Sequence, residues 1–363
     1  MIRNPLSIEP DIARAATLPG TFYRDPALWE AARERVFARA WQLVGHASEV
    51  KTPGQVKPVT LLPGLLDEPI VLVRDEEDCL HALSNVCTHR GALVCEGETL
   101  AKNLRCRYHG RRFGLDGRFL SMPEFDGAQD FPRPEDSLPK LPLEEWRGFL
   151  FTCIGRPAMP FAEWAGELET RAGFLPVDSA VFDASRSRDY AVGAHWALYC
   201  DNYLEGFHIP YVHPALTSAL DYGAYRTELQ AYSSTQVGVA IPGEDAFEPP
   251  AGHPDHGARI GGFYVFLFPN TMFNVYPWGI SVNVVKPVAP GRTKVSFLSY
   301  VWDAARLDVG AGAALDRVER EDEAVVESVF KGVSSRLYTR GRFSPRREEG
   351  VHHFHRLLAE ALG

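Results

Sequence analysis

Two short groups of metal-ligating side chains stand out in this chain: Cys87-Thr88-His89 and, after sixteen intervening residues, Cys106-Arg107-Tyr108-His109. The pattern is C-x-H-x16-C-x2-H. Thiolate and neutral imidazole are both strong ligands, and two mixed pairs on two loops can converge on one metal centre. Two inorganic centres suit such donors: a structural zinc of Cys2His2 type, or a [2Fe–2S] cluster in which two histidines replace two cysteines on one iron. Spacing favours the cluster. A C-x-H pair is tighter than the paired ligands of zinc fingers, and each loop carries one residue of each kind. Cys95 lies between the pairs and matches neither. Like Cys79, Cys153 and Cys200, it is expected to be a packed or free thiol.

A second group lies in Asp201-Asn202-Tyr203-Leu204-Glu205-Gly206-Phe207-His208-Ile209-Pro210-Tyr211-Val212-His213. Asp201, Glu205 and His208 are spaced i, i+4, i+7 and would share one face of a helix. Five steps of about 100° place His213 roughly 140° around from His208. Both imidazoles reach one metal only if the helix is distorted or ends between them. Pro210, which has no N–H, supplies a reason for a break, and Pro214 favours another just after His213.

The rest of the chain must position these two groups. At 363 residues it is long enough for two domains. Acidic residues outnumber basic ones by 47 to 38, and no basic block occurs. That balance argues against nucleic acid or an anionic membrane as partner. No apolar run approaches the roughly 18 residues of a membrane span, and residues 1–20 lack a signal-peptide core. A cytoplasmic protein is expected, with cysteines used for metal rather than for disulfides. Residues 1–37 read as an arm with a helix from Pro26, and 40–153 as short β-runs broken by turns. Helical pieces are expected from about 156 to 200. Strands follow over 215–300, including Gly262–Phe268, Ile280–Val285 and Lys294–Val301, and helix fills the last sixty residues. Gly243–Gly262, dense in Pro, Gly and His, reads as a long loop able to cover a site.

With these motifs in place, the chain resembles the Rieske non-heme iron oxygenases, specifically their catalytic α subunits, from about Thr21 to its end. The resemblance implies an α+β protein: an arm over 1–39, a small antiparallel β Rieske [2Fe–2S] domain over 40–155, and a larger helix-covered antiparallel-sheet catalytic domain over 156–363. Cys87, His89, Cys106 and His109 would hold the cluster. His208 and His213 match the family's mononuclear Fe(II) ligands through N-x2-E-x2-H-x4-H from Asn202. The family's third ligand is a carboxylate, and the sequence nominates Asp322. On a helix over 313–331, Asp322 falls inside the stripe of Leu315, Val318, Val325, Val326 and Val329, where a carboxylate is costly unless paired or metal-bound. Glu321, Glu323 and Glu327 fall off that stripe and Glu319 at its edge, as a reserve candidate. The cluster His352-His353-x-His355 is a rival metal site, but Val351, Phe354, Leu358 and Leu362 make the apolar stripe there, which sets those imidazoles at the surface. One departure is local: the family commonly has Trp two positions after the second cluster histidine, where this chain has Arg111.

The resemblance further implies O2 as co-substrate, a small-molecule substrate, NAD(P)H acting through a separate reductase, and a homotrimer. In it, Glu205 would bridge His208 to the neighbouring subunit's cluster ligand. Residues 201–205 (DNYLE), 219–222 (ALDY), 341–345 (GRFSP) and 352–355 (HHFH) are similar to choline monooxygenase-like members. That points to a quaternary ammonium or N-methyl substrate held by aromatic faces, with Tyr264, Phe266, Phe268, Phe273, Tyr276 and Trp278 available. Hydroxylation or demethylation of an aromatic compound is one alternative, and a non-catalytic electron carrier is another.

Overall fold

A computed structural model of the chain describes residues 6–313 and 315–363. It divides into two compact units, Ala38–Ala158 and the remainder, Met1–Phe37 with Met159–Gly363. The first five residues of the predicted arm lie outside the described part.

The smaller unit is built from short antiparallel strands: β1 (Gln42–His46), β2 (Gln55–Leu61), β3 (Glu68–Arg74), β4 (Leu80–Ser84), β5 (Thr99–Leu100), β6 (Leu104–Arg105), β7 (Arg112–Phe113), β8 (Phe119–Ser121), β9 (Lys140–Leu141), β10 (Leu143–Trp146) and β11 (Phe149–Thr152). They form sheets ordered β5-β2-β3-β4-β9, β1-β11-β10 and β6-β7-β8. The run Ile70-Val71-Leu72-Val73 on β3 is buried on both faces. Ile70 and Leu72 join one core with Val44 and Leu150, while Val71 and Val73 join another with Leu83 and Phe113. The β-alternation of a single strand thus feeds two cores. Cys87 and Cys106 belong to the second of them.

The larger unit is organised on one seven-stranded antiparallel sheet: β12 (Val181–Val192), β13 (Arg226–Leu229), β14 (Ser233–Val239), β15 (Ile260–Leu267), β16 (Thr271–Tyr276), β17 (Gly279–Ala289) and β18 (Arg292–Val301), in the order β12-β18-β17-β16-β15-β14-β13. Every residue of β15 and β16 is buried. Helices α1 (Pro26–Arg35), α2 (Phe161–Ala172), α3 (Trp196–Tyr203), α4 (Ile209–Val212), α5 (Pro214–Thr217), α6 (Leu315–Val333) and α7 (Glu349–Leu362) complete it. Among the described residues, none is long and apolar enough to cross a membrane.

Three expectations need correction. The stretch 156–200 is not helical throughout, because β12 occupies twelve residues of it. Its sequence VFDASRSRDYAV carries little apolar alternation, since the strand lies at a sheet edge with most residues partly exposed. The final sixty residues contain two helices separated by a non-helical stretch over 334–348. Finally, the loop before β15 contributes no residue to the cavity described below. Its Asp255, with a fully buried side chain, accepts from Arg171 Nη1 of α2 at 2.6 Å and also pairs with Arg226 of β13.

Arg171 is itself buried, with Glu167, Glu228 and Asp255 around its guanidinium. Arg171→Met would leave Asp255 buried and short of a cation, and the expected loss is roughly 3 kcal/mol of folding stability, checked by denaturant unfolding. A change below about 0.5 kcal/mol would show that water or Arg226 satisfies Asp255 unaided.

Candidate metal centres and adjoining cavity

The two Cys/His loops of the smaller unit fold as near copies. Cys87 N–H donates to Ala92 O and accepts at its carbonyl from Gly91 N–H; Cys106 does the same with Arg111 O and Gly110 N–H. Both glycines take left-handed backbone angles, φ +73° and +77°, which L side chains adopt at a cost. Each turn buries its cysteine and turns its histidine outward. Cys87 and Cys106 are 3% and 2% exposed and lie within hydrogen-bond reach of each other. His89 Nδ1 and His109 Nδ1 stand 3.2 Å apart toward the surface. The donors therefore segregate into a buried sulfur pair and an outer imidazole pair, the division a two-iron cluster needs. Arg111, at the departure from the family pattern, is buried. It bonds Asp136 through its carbonyl at 2.9 Å and carboxylate at 2.5 Å, and its guanidinium lies 4.9 Å from the ring centroid of Phe119. A cation over aromatic faces fills the space.

In the larger unit, His208, His213 and Asp322 present ligand atoms within 4.8 Å of one another. His208 Nε2 is 3.5 Å and His213 Nε2 3.0 Å from Asp322 Oδ1. The opposite ring nitrogens are also held: His208 Nδ1 lies 2.6 Å from Glu205 Oε1, and His213 Nδ1 lies 2.8 Å from Glu321 Oε2. A carboxylate only accepts, so each Nδ1 keeps its proton; His213 Nε2 also donates to Asp322 in the metal-free chain, and losing that proton would free its lone pair for a metal. Two imidazoles and one carboxylate meeting in this way fit a mononuclear iron with open positions. Burial lowers the His213 pKa, but Asp322 and Glu321 outweigh it and hold the ring above the usual histidine value. Metal entry must displace that extra proton.

The backbone route differs from the sequence expectation. The first helix ends at Tyr203, before Glu205, so Asp201, Glu205 and His208 do not share a helical face. Asp201 instead binds His355 Nε2 at 2.9 Å and accepts from Tyr23 Oη at 3.2 Å. Glu205 folds back to accept from the backbone N–H groups of Phe207 and His208. Pro210 starts a helix rather than breaking one, since the first helical turn needs no N–H from it. His208 and His213 cap the two ends of α4.

On α6 the buried seam runs through Glu319, Val326 and Val333, while Val329 is 42% exposed. Glu319 is thus central to the seam rather than at its edge. It accepts from Tyr199 Oη at 2.5 Å and stays out of the ligand group. Burial, reinforced by Asp322 and nearby acids, pushes its pKa up to about 8 against the bond from Tyr199. Glu321, placed off the stripe by helical periodicity, is the carboxylate behind His213. Periodicity could not find it, because adjacent residues 321 and 322 clasp one ring from both nitrogens. The His352/His353/His355 cluster also needs correction. His352 and His355 are buried, because the N-terminal arm covers them: His352 Nε2 donates to Glu9 O, and His355 Nδ1 accepts from Leu18 N–H. Neither joins a ligand group among the described residues.

Beside the triad lies a cavity of ≈ 100 Å³ between α3, α6 and the sheet. Cross-strand neighbours Gln236, Tyr264 and Asn274 form one row of its wall. Gln236 Nε2 donates to Tyr203 O, and Tyr203 Oη donates to Asn274 Oδ1 at 2.9 Å. Tyr203, Tyr225, Tyr264 and Tyr276 face the space. Of the six aromatics singled out by sequence, Tyr264 and Tyr276 line it. Trp278 stacks on Tyr276, Phe266 and Phe268 pack on Phe354, and Phe273 is core. Sequence reasoning missed Gln236 and Asn274: the first ends the polar run Ser233-Ser234-Thr235-Gln236, and the second is a lone amide between Phe273 and Val275. The charged residues of the wall apart from histidine are Glu205, Glu319 and Asp322, with no Lys or Arg among the described lining.

Two outcomes are expected. Glu321→Ala should weaken Fe(II) binding about ten- to a hundredfold without changing the cluster's absorption; unchanged affinity in equilibrium dialysis would make Glu321 a bystander. Glu319 holds its proton in the folded chain to a higher pH than in the unfolded one. Its contribution is therefore complete below the ordinary glutamate pKa of about 4.3 and lost as pH rises to about 8. In metal-free protein, the melting-temperature advantage of Glu319→Gln over the native chain should grow between pH 5 and 8. A flat difference would refute the assignment.

Comparison with known proteins agrees with this construction. Residues 40–132 match the Rieske [2Fe–2S] domain, and residues 181–363 match the ring hydroxylating alpha subunit catalytic domain. The chain is 32% identical to the chloroplastic choline monooxygenase of Arabidopsis thaliana, over 97% of this chain and 84% of that protein. It is 31% identical to the carnitine monooxygenase oxygenase subunit of Escherichia coli (strain K12), over 96% and 94%. A solved quaternary ammonium Rieske monooxygenase superposes with a TM-score of 0.79 at 26% identity, covering 98% of this chain and all of the other. The chain therefore belongs to the Rieske ring-hydroxylating oxygenases, oxidoreductases that join a [2Fe–2S] domain to a mononuclear-iron catalytic domain and draw electrons from a reductase.

Proposed function

We propose that this oxygenase hydroxylates, or oxidatively demethylates, a small quaternary ammonium or N-methyl compound. One observation carries the reading: the cavity beside the ligand triad is small, walled by tyrosines, and free of basic side chains among its described lining. A quaternary ammonium has no N–H to donate, so π faces and anionic charge are what can hold it. Choline and carnitine monooxygenases among the relatives support the same class. A polycyclic aromatic substrate would need a pocket nearer the usual 300–1,000 Å³, and a pure electron carrier would have no use for the cavity.

In this proposal Cys87 and Cys106 hold one iron of the cluster, His89 and His109 the other, and His208, His213 and Asp322 the mononuclear iron. That iron supplies O2 activation when bound, fed by single electrons. The chain's own residues do the rest. Glu205 and Glu321 fix the ring orientations, Asp322 supplies the anionic ligand, and the tyrosine wall orients substrate and excludes water. His109, exposed and with Tyr108 lying 3.7 Å from it between ring centroids, would be the outer ligand of the cluster, on the edge from which an electron could leave. A homotrimer would set that edge beside Glu205 of a neighbouring copy. Exposed Phe207 and Tyr211, at 41% and 80%, flank Glu205 and His208 and suit a subunit contact. A cytoplasmic setting suits six cysteines that form no disulfide.

The test is turnover with purified reductase. Protein carrying about three irons and two sulfides per chain should oxidise choline-type cations and ignore benzoate-type anions. Oxidation of benzoate with no turnover of any methylated ammonium would reject the reading. Glu205→Ala, loaded with Fe(II) to the native iron content, should lose reductase-coupled turnover by about a hundredfold or more; near-native rates would remove Glu205 from the electron path.

A further inference from the structure

One buried acid of the catalytic unit takes no part in holding a metal. Glu319 stands on α6 one turn before Asp322, is 2% exposed, and lines the cavity. Tyr199 Oη satisfies its Oε2, whereas its Oε1 is buried with no hydrogen-bond partner. A buried carboxyl oxygen left in that state is costly unless something arrives to meet it.

The other two acids of the wall are already engaged. Glu205 is held by the His208 ring and two backbone N–H groups. Asp322 faces both imidazoles. Asp322 belongs to the ligand group through that face, so Glu319 is the wall carboxyl that stands outside the ligand group and keeps a buried oxygen without a partner. Residues three apart on a helix carry their Cβ atoms about 5–6 Å apart. A small cation docked on Glu319 would therefore have its carbon atoms close to the ligand set that Asp322 completes.

We propose that Glu319 is the counter-ion for the substrate's ammonium group, and the residue that selects a cation over a neutral molecule of the same shape. This rests on the quaternary-ammonium reading above and adds what recognises the charge. Tyr203, Tyr225, Tyr264 and Tyr276 supply faces that pack methyl groups of a neutral ligand and add a modest attraction for a cation. In the empty cavity Glu319 is held toward its protonated form; an arriving positive centre releases that proton to solvent and meets the full charge of the carboxylate. Tyr199 is its positioning partner, fixing one oxygen and leaving the other without a bond.

Two ligands separate these contributions: choline, and 3,3-dimethylbutan-1-ol, in which carbon replaces the ammonium nitrogen at nearly constant shape. Their affinities for the oxygenase carrying both metal centres would be measured without O2 by calorimetry, for the native chain, Glu319→Gln and Glu319→Asp. The native protein should prefer choline by about tenfold or more. Glu319→Gln, which can still accept from Tyr199, should erase most of that preference by weakening choline alone. Glu319→Asp should restore part of it, an effect a merely structural glutamate would not show. A Gln variant that keeps the native choline preference overturns the proposal while leaving the quaternary-ammonium reading intact. A native protein with no preference for choline removes that reading, and the role of Glu319 with it.

Discussion

The catalytic unit depends on one constraint: an imidazole ligates a metal only if its proton sits on the far nitrogen and its ring plane is held. Two carboxylates impose this, Glu205 on His208 and Glu321 on His213. Around them the fold is arranged to deliver acids and histidines from distant segments to one point. The break after Tyr203 lets Glu205 turn back on His208, and the four-residue α4 spaces the two histidines so that their ring centroids stand 5.1 Å apart at 77°. An unbroken helix would have sent those rings to different faces. The helix that carries Asp322 has to be long and fixed, because its acid must meet a site nearly 110 residues upstream. Its pairing with α3 through Tyr199 and Glu319 helps to fix it.

The smaller unit answers the same need by another route. Its ligands sit on hairpin-like turns, and the repeated hydrogen bonds around Cys87 and Cys106 make two turns of one geometry from different sequences. Burying the sulfurs and exposing the imidazoles sets up a polarity across the centre. The inner iron would lie among Val, Leu and Phe side chains of the core, and the outer one at the surface. Arg111 shows how far the packing tolerates substitution. Three aromatic rings and Asp136 accommodate a guanidinium where the family resemblance implies an indole, because a cation over π faces fills a similar flat volume.

What the sequence made legible follows the reach of each signal. Cysteine and histidine spacing is short-range, so both motifs could be found along the chain, and helical periodicity extended far enough to nominate Asp322. Periodicity failed where tertiary contact decides. It gave Glu319 an edge position because Val329 looks apolar, yet Val329 is exposed and the seam runs through Glu319. It set His352 and His355 at the surface because nothing in α7 announces that the N-terminal arm will cover them. It missed β12 because an edge strand need not alternate. The cavity wall was the least legible part. Gln236, Tyr264 and Asn274 become neighbours only through strand register, which lies beyond any local pattern.

The charges of the site have a common logic. Glu205, Glu319, Glu321 and Asp322 gather around two imidazoles, an arrangement that repels itself in a half-buried space. Glu321 stays ionised because the bond from His213, together with Arg317, holds it below the usual carboxylate range despite burial. Glu319, more deeply buried and helped by the bond from Tyr199 alone, is driven toward its protonated form. A divalent ion at the triad would relieve the repulsion around Asp322 but would bring no partner to the free oxygen of Glu319. That oxygen can be relieved by a proton or by a cation entering the cavity, and a cation without N–H groups has the tyrosine faces there to meet it. On the proposed reading, the excess of acid beside the ligand triad would serve two positive charges, one resident and one arriving with the substrate.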